Sequence, residues 1–390
     1  MEQGNPYRKT IIASFVGYIV QATVCTFPPL LFVTFRTAYG ITLAQLSLLI
    51  TLTFAIQLVG DLVMPHIVAR AGSKPCIIAA NALTIGGLVL LPVFPAKFGY
   101  GGLLCAALLY SLGASIIEVL ISPTVEACPT KNKSGMMSLL HSFFAIGCAL
   151  VIGLSTAFLA LFGRQSWKLL CLFWAIPPLI DIVLFALAPM PELAGENGAR
   201  TPIKSLLKSR TMVLLLALMI AAGAAELCVS QWASSFAEAG LGVSKATGDL
   251  LGPLSFAVLM AAGRLFYAAR SKKMRLWRYM LISALICAAG YLVAGLSPIP
   301  AVSLLGCGLV GFGCAVLWPG ALSIGADRLP NGGTTLFSLM ACCGDIGCTV
   351  GPTYAGFLAD RFGENLQLGL LGGLIFPAAA VILLLALRKK

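Results

Sequence analysis

Glu118 is the only charged residue between Phe98 and Val125. If that run crosses a membrane, a carboxylate within it costs about 2.5–3.5 kcal/mol on insertion scales, and such groups persist where they work. The chemistry open to it is proton binding and release, and acceptance of hydrogen bonds from a hydroxylated solute. Glu226 is a second such acid, in Ala221-Ala-Gly-Ala-Ala-Glu226-Leu-Cys-Val-Ser230-Gln231-Trp232. A carboxylate, an amide and an indole on one helix suit a sugar, which needs hydrogen bonds and a stacking face. The small residues before Glu226 allow a ligand or a neighbouring helix to come close; helix–helix bonding is the plainer use of the same acid.

Other polar residues interrupt apolar runs. Arg264 is expected to pair with a carboxylate, with Asp345 a candidate, and to lock one conformation. Asp61, Arg70 and Asp181 lie towards the ends of their runs and fit gate or cap roles. His141 suits a proton relay or simple packing, and His66 lies near a loop. Trp318, directly before Pro319, fits stacking on a ring or packing at a helix break. Gln21, Gln57 and Asn81 are further candidate polar contacts.

These residues need helices that cross a membrane. Of the 390 residues 59% are hydrophobic and 10% charged, and mean hydropathy is +0.96. Soluble chains carry about 25% charged residues, so much of this surface must face lipid. Twelve runs are long enough to span: about 10–37, 42–68, 75–96, 99–126, 135–162, 166–189, 211–239, 246–269, 276–296, 300–326, 333–359 and 366–387, each needing about 20 residues. The polar start, Met1–Thr10, runs into a full-length apolar stretch without a small-residue cleavage site, so the first span is expected to be retained.

Twelve spans place both ends on one side. Nineteen of the 26 Lys and Arg then fall in the termini and the loops after even-numbered spans, six in the opposite loops, and Arg264 inside a span. That bias predicts cytoplasmic termini in the inner membrane. The net charge of +12 follows from this placement and from anionic lipid, and argues no nucleic-acid partner. The 13 cysteines lie mostly within spans and show no metal spacing; they read as small apolar filler.

The most polar stretch, Pro191–Arg210, splits six spans from six, with a short amphipathic helix expected around Ile203–Leu207. The halves echo each other. At an offset of 200, Gly113, Ser138, Leu139 and Gly147 meet Gly313, Ser338, Leu339 and Gly347, and Glu118 meets Trp318. At 203, Gly60-Asp61-Leu62 meets Gly263-Arg264-Leu265, and at 205 Gln21 and Phe27 meet Glu226 and Trp232. The expected fold is an all-α membrane protein of two pseudo-symmetric six-helix bundles, residues 1–190 and 211–390, joined by a cytoplasmic linker, 191–210. Such duplication favours a midplane site at the repeat interface.

The chain resembles the major facilitator superfamily along its whole length, and within it the fucose/galactose/glucose–proton symporter (fucose permease-like) group. Gly113-Ala-Ser-Ile-Ile-Glu118-Val-Leu-Ile-Ser-Pro123 is similar to that group's Gly-x-x-x-Glu-x-x-x-x-Pro, with one residue more before the acid. Gly263-Arg264, Trp318-Pro319, Gly351-Pro352 and Gly356-Phe-Leu-Ala-Asp360-Arg361-Phe-Gly363 support it. The chain departs from the superfamily loop pattern at Ala69, where an acid is usual. It also departs from the proton-coupled members in span one, where they carry an acid and this chain carries Gln21. The resemblance implies that spans one, four, seven and ten line the cavity, which places Gln21, Glu118, Glu226 and Trp318 there.

The expectation is a secondary transporter importing a small polar solute, a monosaccharide or related polyol, by proton symport, with Na+ as the other cation option. Glu118 and Glu226 would couple protons; Gln21, Gln57, Glu118, Glu226, Gln231, Trp232 and Trp318 would bind substrate; Asp61, Arg70, Arg264 and Asp345 would gate. No cofactor is expected, and the chain is expected to act as a monomer in the bilayer. No G-x-x-x-x-G-K-S/T loop occurs, so nothing points to direct ATP drive, and no nucleophile–base set points to an enzyme. The competing readings are a proton-driven exporter of drugs or lipids, and a transporter-like sensor that binds a solute without moving it.

Overall fold

The computed structural model describes residues 6–41, 43–193, 202–237, 242, 250–363 and 365–388. Among them there is no strand, and twelve helical segments are long and apolar enough to cross a membrane. Numbered as spans in chain order, they are Arg8–Leu30, Leu52–Ala71, Ser73–Leu90, Phe94–Ala127, Lys133–Phe162, Arg164–Leu187, Arg210–Ala233, Leu250–Arg270, Leu276–Leu296, Pro300–Arg328, Pro330–Arg361 and Leu366–Arg388. The chain is an all-α membrane protein, and each run expected from the sequence has its helix.

Prolines set the main departures in length. Span one stops at Leu30, after Pro28-Pro29, and a separate short helix, Phe32–Tyr39, follows. Two consecutive prolines withdraw two backbone donors and crowd the preceding turn. Span ten is broken between Cys314 and Leu317. Pro319 has no N–H to give the Ala315 carbonyl four residues earlier, so that carbonyl is left for another donor. Residues 194–201 of the expected linker and 243–249 before span eight lie outside the described residues. The helix Ile203–Leu207 is present, and the Ser209 hydroxyl caps span seven by accepting from the Met212 N–H at 3.5 Å.

The chain forms two compact units. The first comprises Met1–Pro129, Gly147–Arg200 and Gly333–Ser338, the second Thr130–Ile146, Thr201–Gly332 and Leu339–Lys390. Spans five and eleven therefore each contribute to both. In the first unit span four packs on spans one, two and three; in the second, span ten packs on spans seven, eight and nine. The contacts repeat at the offsets seen in the sequence. A Cβ at Gly87 would lie 2.7 Å from the Ala106 carbonyl and the Tyr110 N–H, and one at Gly290 would lie 2.7 Å from the Val310 N–H and 3.0 Å from the Gly306 carbonyl. Only glycine admits backbones this close, the usual device where lipid supplies no hydrophobic drive between helices.

In the second unit the first half of span five is fastened to span eight. The Tyr267 hydroxyl lies 3.1 Å from Ser134 Oγ, and Ser138 Oγ donates to the Arg264 carbonyl at 2.8 Å. Asn132 Nδ2 donates to Ser271 Oγ at 2.6 Å. These bonds explain why residues 130–146 belong with the second unit.

Candidate functional site

In the first unit the polar residues converge on the middle of span four. Gln21 of span one donates from Nε2 to Glu118 Oε2 at 2.9 Å. Gln21 is buried, and its Oε1 has no hydrogen-bond partner; Glu118 is half-buried. About one turn along both helices Tyr18 Oη and Ser122 Oγ are 2.7 Å apart, so spans one and four are tied twice.

Asp61 of span two is fully buried. Ser115 Oγ lies 3.2 Å from Asp61 Oδ1 and 3.1 Å from the Gln57 carbonyl, so one hydroxyl proton serves two acceptors. Asp61 Oδ2 has no hydrogen-bond partner. Gly60 makes the approach possible, since a Cβ there would overlap the Ser115 side chain. Pro65 leaves the Asp61 main-chain carbonyl without its helical donor, and the Ser338 hydroxyl takes that place. Arg70 and His66, near the end of span two, are exposed.

Asp181 of span six is likewise fully buried. Asn81 Nδ2, from span three, donates to Asp181 Oδ2 at 2.9 Å and to the Ile77 carbonyl at 3.0 Å. Lys74 caps the end of span six instead, donating to the Ala186 and Ala188 carbonyls at 2.8 and 3.0 Å.

In the second unit Arg264 is the centre. It is 2% exposed, and each arm of its fork has an acceptor. Nε donates to the Ala315 carbonyl at 2.8 Å, the carbonyl that Pro319 frees; Nη1 donates to the His141 carbonyl at 2.8 Å. Nη2 lies 3.5 Å from Glu226 Oε2. The carboxylate that Arg264 meets is therefore Glu226, where the sequence pointed to Asp345. Both acids sit on apolar helices, and the rotation of those helices about their axes decides which faces the guanidinium. Asp345 is buried on span eleven.

Trp232 Nε1 donates to the Pro352 carbonyl of span eleven at 2.9 Å, with the indole ring against Gly356. Its donor is spent between helices. Gln231 is exposed. Trp318 is half-buried with its ring pressed on Gly344 of span eleven, where a Cβ would overlap it. Sequence reasoning missed Ser115, Tyr18, Ser122 and the Ala315 carbonyl. Two carried a signal: Ser115 precedes Glu118 by one turn, and Pro319 follows Ala315 by four residues. Among the described residues no three His, Cys, Asp or Glu gather as a metal would require.

Comparison with known proteins agrees with this architecture. The family model described as Major Facilitator Superfamily matches residues 10–352. The membrane protein MosC of Rhizobium meliloti is 24% identical over 375 residues, covering 92% of this chain and 86% of that one. Among solved structures, a single-substitution form of the E. coli fucose:proton symporter FucP superposes with a TM-score of 0.83 at 15% identity, covering 99% of this chain and all of the other. The proton:xylose symporter XylE, bound to 6-bromo-6-deoxy-D-glucose, superposes with a TM-score of 0.84 at 12% identity, covering 98% of this chain and 95% of that one.

Proposed function

We propose, for a chain that belongs to the Major Facilitator Superfamily and is a multi-pass membrane transporter rather than an enzyme, the import of a monosaccharide or related polyol by proton symport. The observation that carries the reading is the Gln21–Glu118 hydrogen bond of 2.9 Å between spans one and four. It holds a half-buried carboxylate at mid-span, where such a group is retained for a proton, an ion or a solute. Ionised, Glu118 accepts hydrogen bonds from Gln21 and from sugar hydroxyls. Protonated, it is neutral and crosses between the two access states at lower cost.

The symporters with the same fold add support, since FucP is a fucose:proton symporter and XylE a proton:xylose symporter. Glu226, neutralised by Arg264 at 3.5 Å, is the second coupling carboxylate, released when a substrate or a proton competes for the pair. Gln21, Gln57, Gln231, Trp232 and Trp318 are proposed substrate contacts. Asp61, Arg70, Arg264 and Asp345 are proposed gate residues, and His141 a relay. The protein would sit in the cytoplasmic membrane with both termini inside.

The test is uptake into proteoliposomes of radiolabelled fucose, xylose, galactose and glucose, with and without an inward proton gradient. The wild type should accumulate at least one of them only with the gradient. Glu118→Gln should lose accumulation while keeping gradient-free exchange. Proton-driven accumulation unchanged in Glu118→Gln would remove the assignment.

A further inference from the structure

Span six packs on span three in the first unit, and span twelve on span nine in the second. The two contacts differ in chemistry. The first carries Asn81 and Asp181, both fully buried. At the repeat offsets of 200–205 the positions matching Asp181 are Val381–Ala386, all apolar. Packing of this helix pair therefore does not by itself need an acid.

Asn81 is oriented by its own helix. Its Nδ2 donates to the Ile77 carbonyl at 3.0 Å and to Asp181 Oδ2 at 2.9 Å. Both amide hydrogens are then used, and a reversed amide would set its oxygen against two acceptors. Two oxygens are left over. Asn81 Oδ1 and Asp181 Oδ1 are buried, and neither has a hydrogen-bond partner. Gly17 of span one packs against the same carboxyl: a Cβ there would lie 3.4 Å from Asp181 Oδ2 and 3.0 Å from Ile121 Cδ1. The helices packed on span six are spans one and three, and neither brings a counter-charge. On span one Arg8 and Lys9 are exposed at its start, and Tyr18 Oη lies 2.7 Å from Ser122 Oγ. On span three Lys74 donates to the Ala186 and Ala188 carbonyls, and Cys76 is buried. Lys168, towards the start of span six, is exposed. Among the described residues no Lys, Arg or His forms an ion pair with Asp181.

A carboxylate buried without a counter-charge is among the costliest groups an interior can hold, and such a group takes up a proton instead. A proton on Oδ1 removes the charge and turns an orphaned acceptor into a donor. A carboxylic acid and a carboxamide already joined by one N–H···O bond then close a second, O–H···O, bond. We infer that Asp181 is a proton-binding site, held as the neutral acid at neutral pH, with its O–H directed to Asn81 Oδ1. The acid–amide pair clasps span three to span six by two hydrogen bonds. The proton comes from water and returns to it. On release the O–H bond at Asp181 Oδ1 breaks, Asn81 Oδ1 loses its donor, and a bare charge is left between the helices. Glu118 takes no part in this site.

The experiment is infrared spectroscopy of the purified full-length protein at neutral pH, following the carbonyl stretch of protonated carboxylic acids. The wild type should show such a band, and aspartate carrying carbon-13 in its side-chain carboxyl should shift it. Asp181→Asn, which mimics the neutral acid, should delete the band, whereas Glu118→Gln should leave it. Asn81→Ala keeps the acid and removes its partner, so the band should move to higher wavenumber. Thermal unfolding gives a second readout. Above about pH 4 an unfolded aspartate is ionised, so a folded state that keeps the proton loses stability as pH rises. The wild type should therefore lose more stability between about pH 6 and about pH 9 than Asp181→Asn, which has no proton to release. A wild type with no acid band that shifts with labelled aspartate overturns the site without any variant. A band that survives in Asp181→Asn, or one unmoved in Asn81→Ala, overturns it as well.

Discussion

Arg264 meets a charged and two uncharged acceptors at once, and that decides what its loss would do. Replacing it by alanine leaves the Ala315 and His141 carbonyls without these donors and Glu226 without its counter-charge. Breaking a buried pair in this way costs about 3–5 kcal/mol. Arg264→Ala is therefore expected to lower the melting temperature in detergent sharply. Arg264→Ala with Glu226→Gln should recover part of the loss, because no buried charge is then stranded. Losses that simply add in the double variant would show the pair to be energetically idle. Asp181 offers a milder case: Asp181→Ala strands one Asn81 amide hydrogen and should cost about 1–3 kcal/mol, whereas Asp181→Asn keeps an acceptor oxygen and should cost less. Equal melting temperatures for the wild type and Asp181→Ala would contradict this. At this scale the sequence shows which residues matter and not whom they meet. Glu118, Gln21, Glu226 and Arg264 stand out because each is polar inside an apolar run. That Arg264 faces Glu226 rather than Asp345 depends on the rotation of whole helices about their axes, which no single residue reports.

Helices here approach one another through glycine, and the approach can be tested on both halves together. Gly87 of span three and Gly290 of span nine each leave room for the backbone of the next span, with a virtual Cβ 2.7 Å from a main-chain atom in both. An added methyl must push a helix rather than a flexible side chain. Gly87→Ala and Gly290→Ala are each expected to destabilise by about 1–3 kcal/mol, the usual cost of overpacking. Gly153 on span five has nothing within 4 Å of a virtual Cβ, so Gly153→Ala should be neutral or mildly stabilising. Thermal unfolding of the three variants in one detergent checks this, and a Gly87→Ala protein as stable as Gly153→Ala would refute the close contact. The spans themselves were legible because lipid leaves a helix no other way to satisfy its backbone, so each crossing must be a long apolar run. Their ends were less legible where proline acts through the donor it lacks. Pro28-Pro29 ends span one early, and Pro319 breaks span ten and hands the Ala315 carbonyl to Arg264.

For the whole molecule, duplication and charge asymmetry constrain different things. Duplication explains why spans four and ten hold equivalent places in the two units and why Gly87 and Gly290 make matching contacts. It says nothing about which side of the membrane is which, since both halves run in the same sense. The expected orientation comes from the termini and loops, where nineteen Lys and Arg fall on one side of a twelve-span chain and six on the other. The cytoplasmic face retains basic residues because moving them across an energised membrane is opposed during insertion. Short loops carry this signal best, and Ser271–Arg275, after span eight, is short and bears three of these charges. Fusions of alkaline phosphatase, active only outside the cytoplasm, read the orientation directly. A fusion after Lys390 or within 271–275 should be inactive; fusions at Pro92 and at Ile299, after spans three and nine, should be active. A fluorescent protein, which matures inside, should give the reciprocal pattern. Activity of the phosphatase after Lys390 would reverse the orientation or remove one span from the count. The Ile299 fusion separates those outcomes: it is active in the proposed orientation, inactive if the whole molecule is reversed, and still active if a span after it is lost.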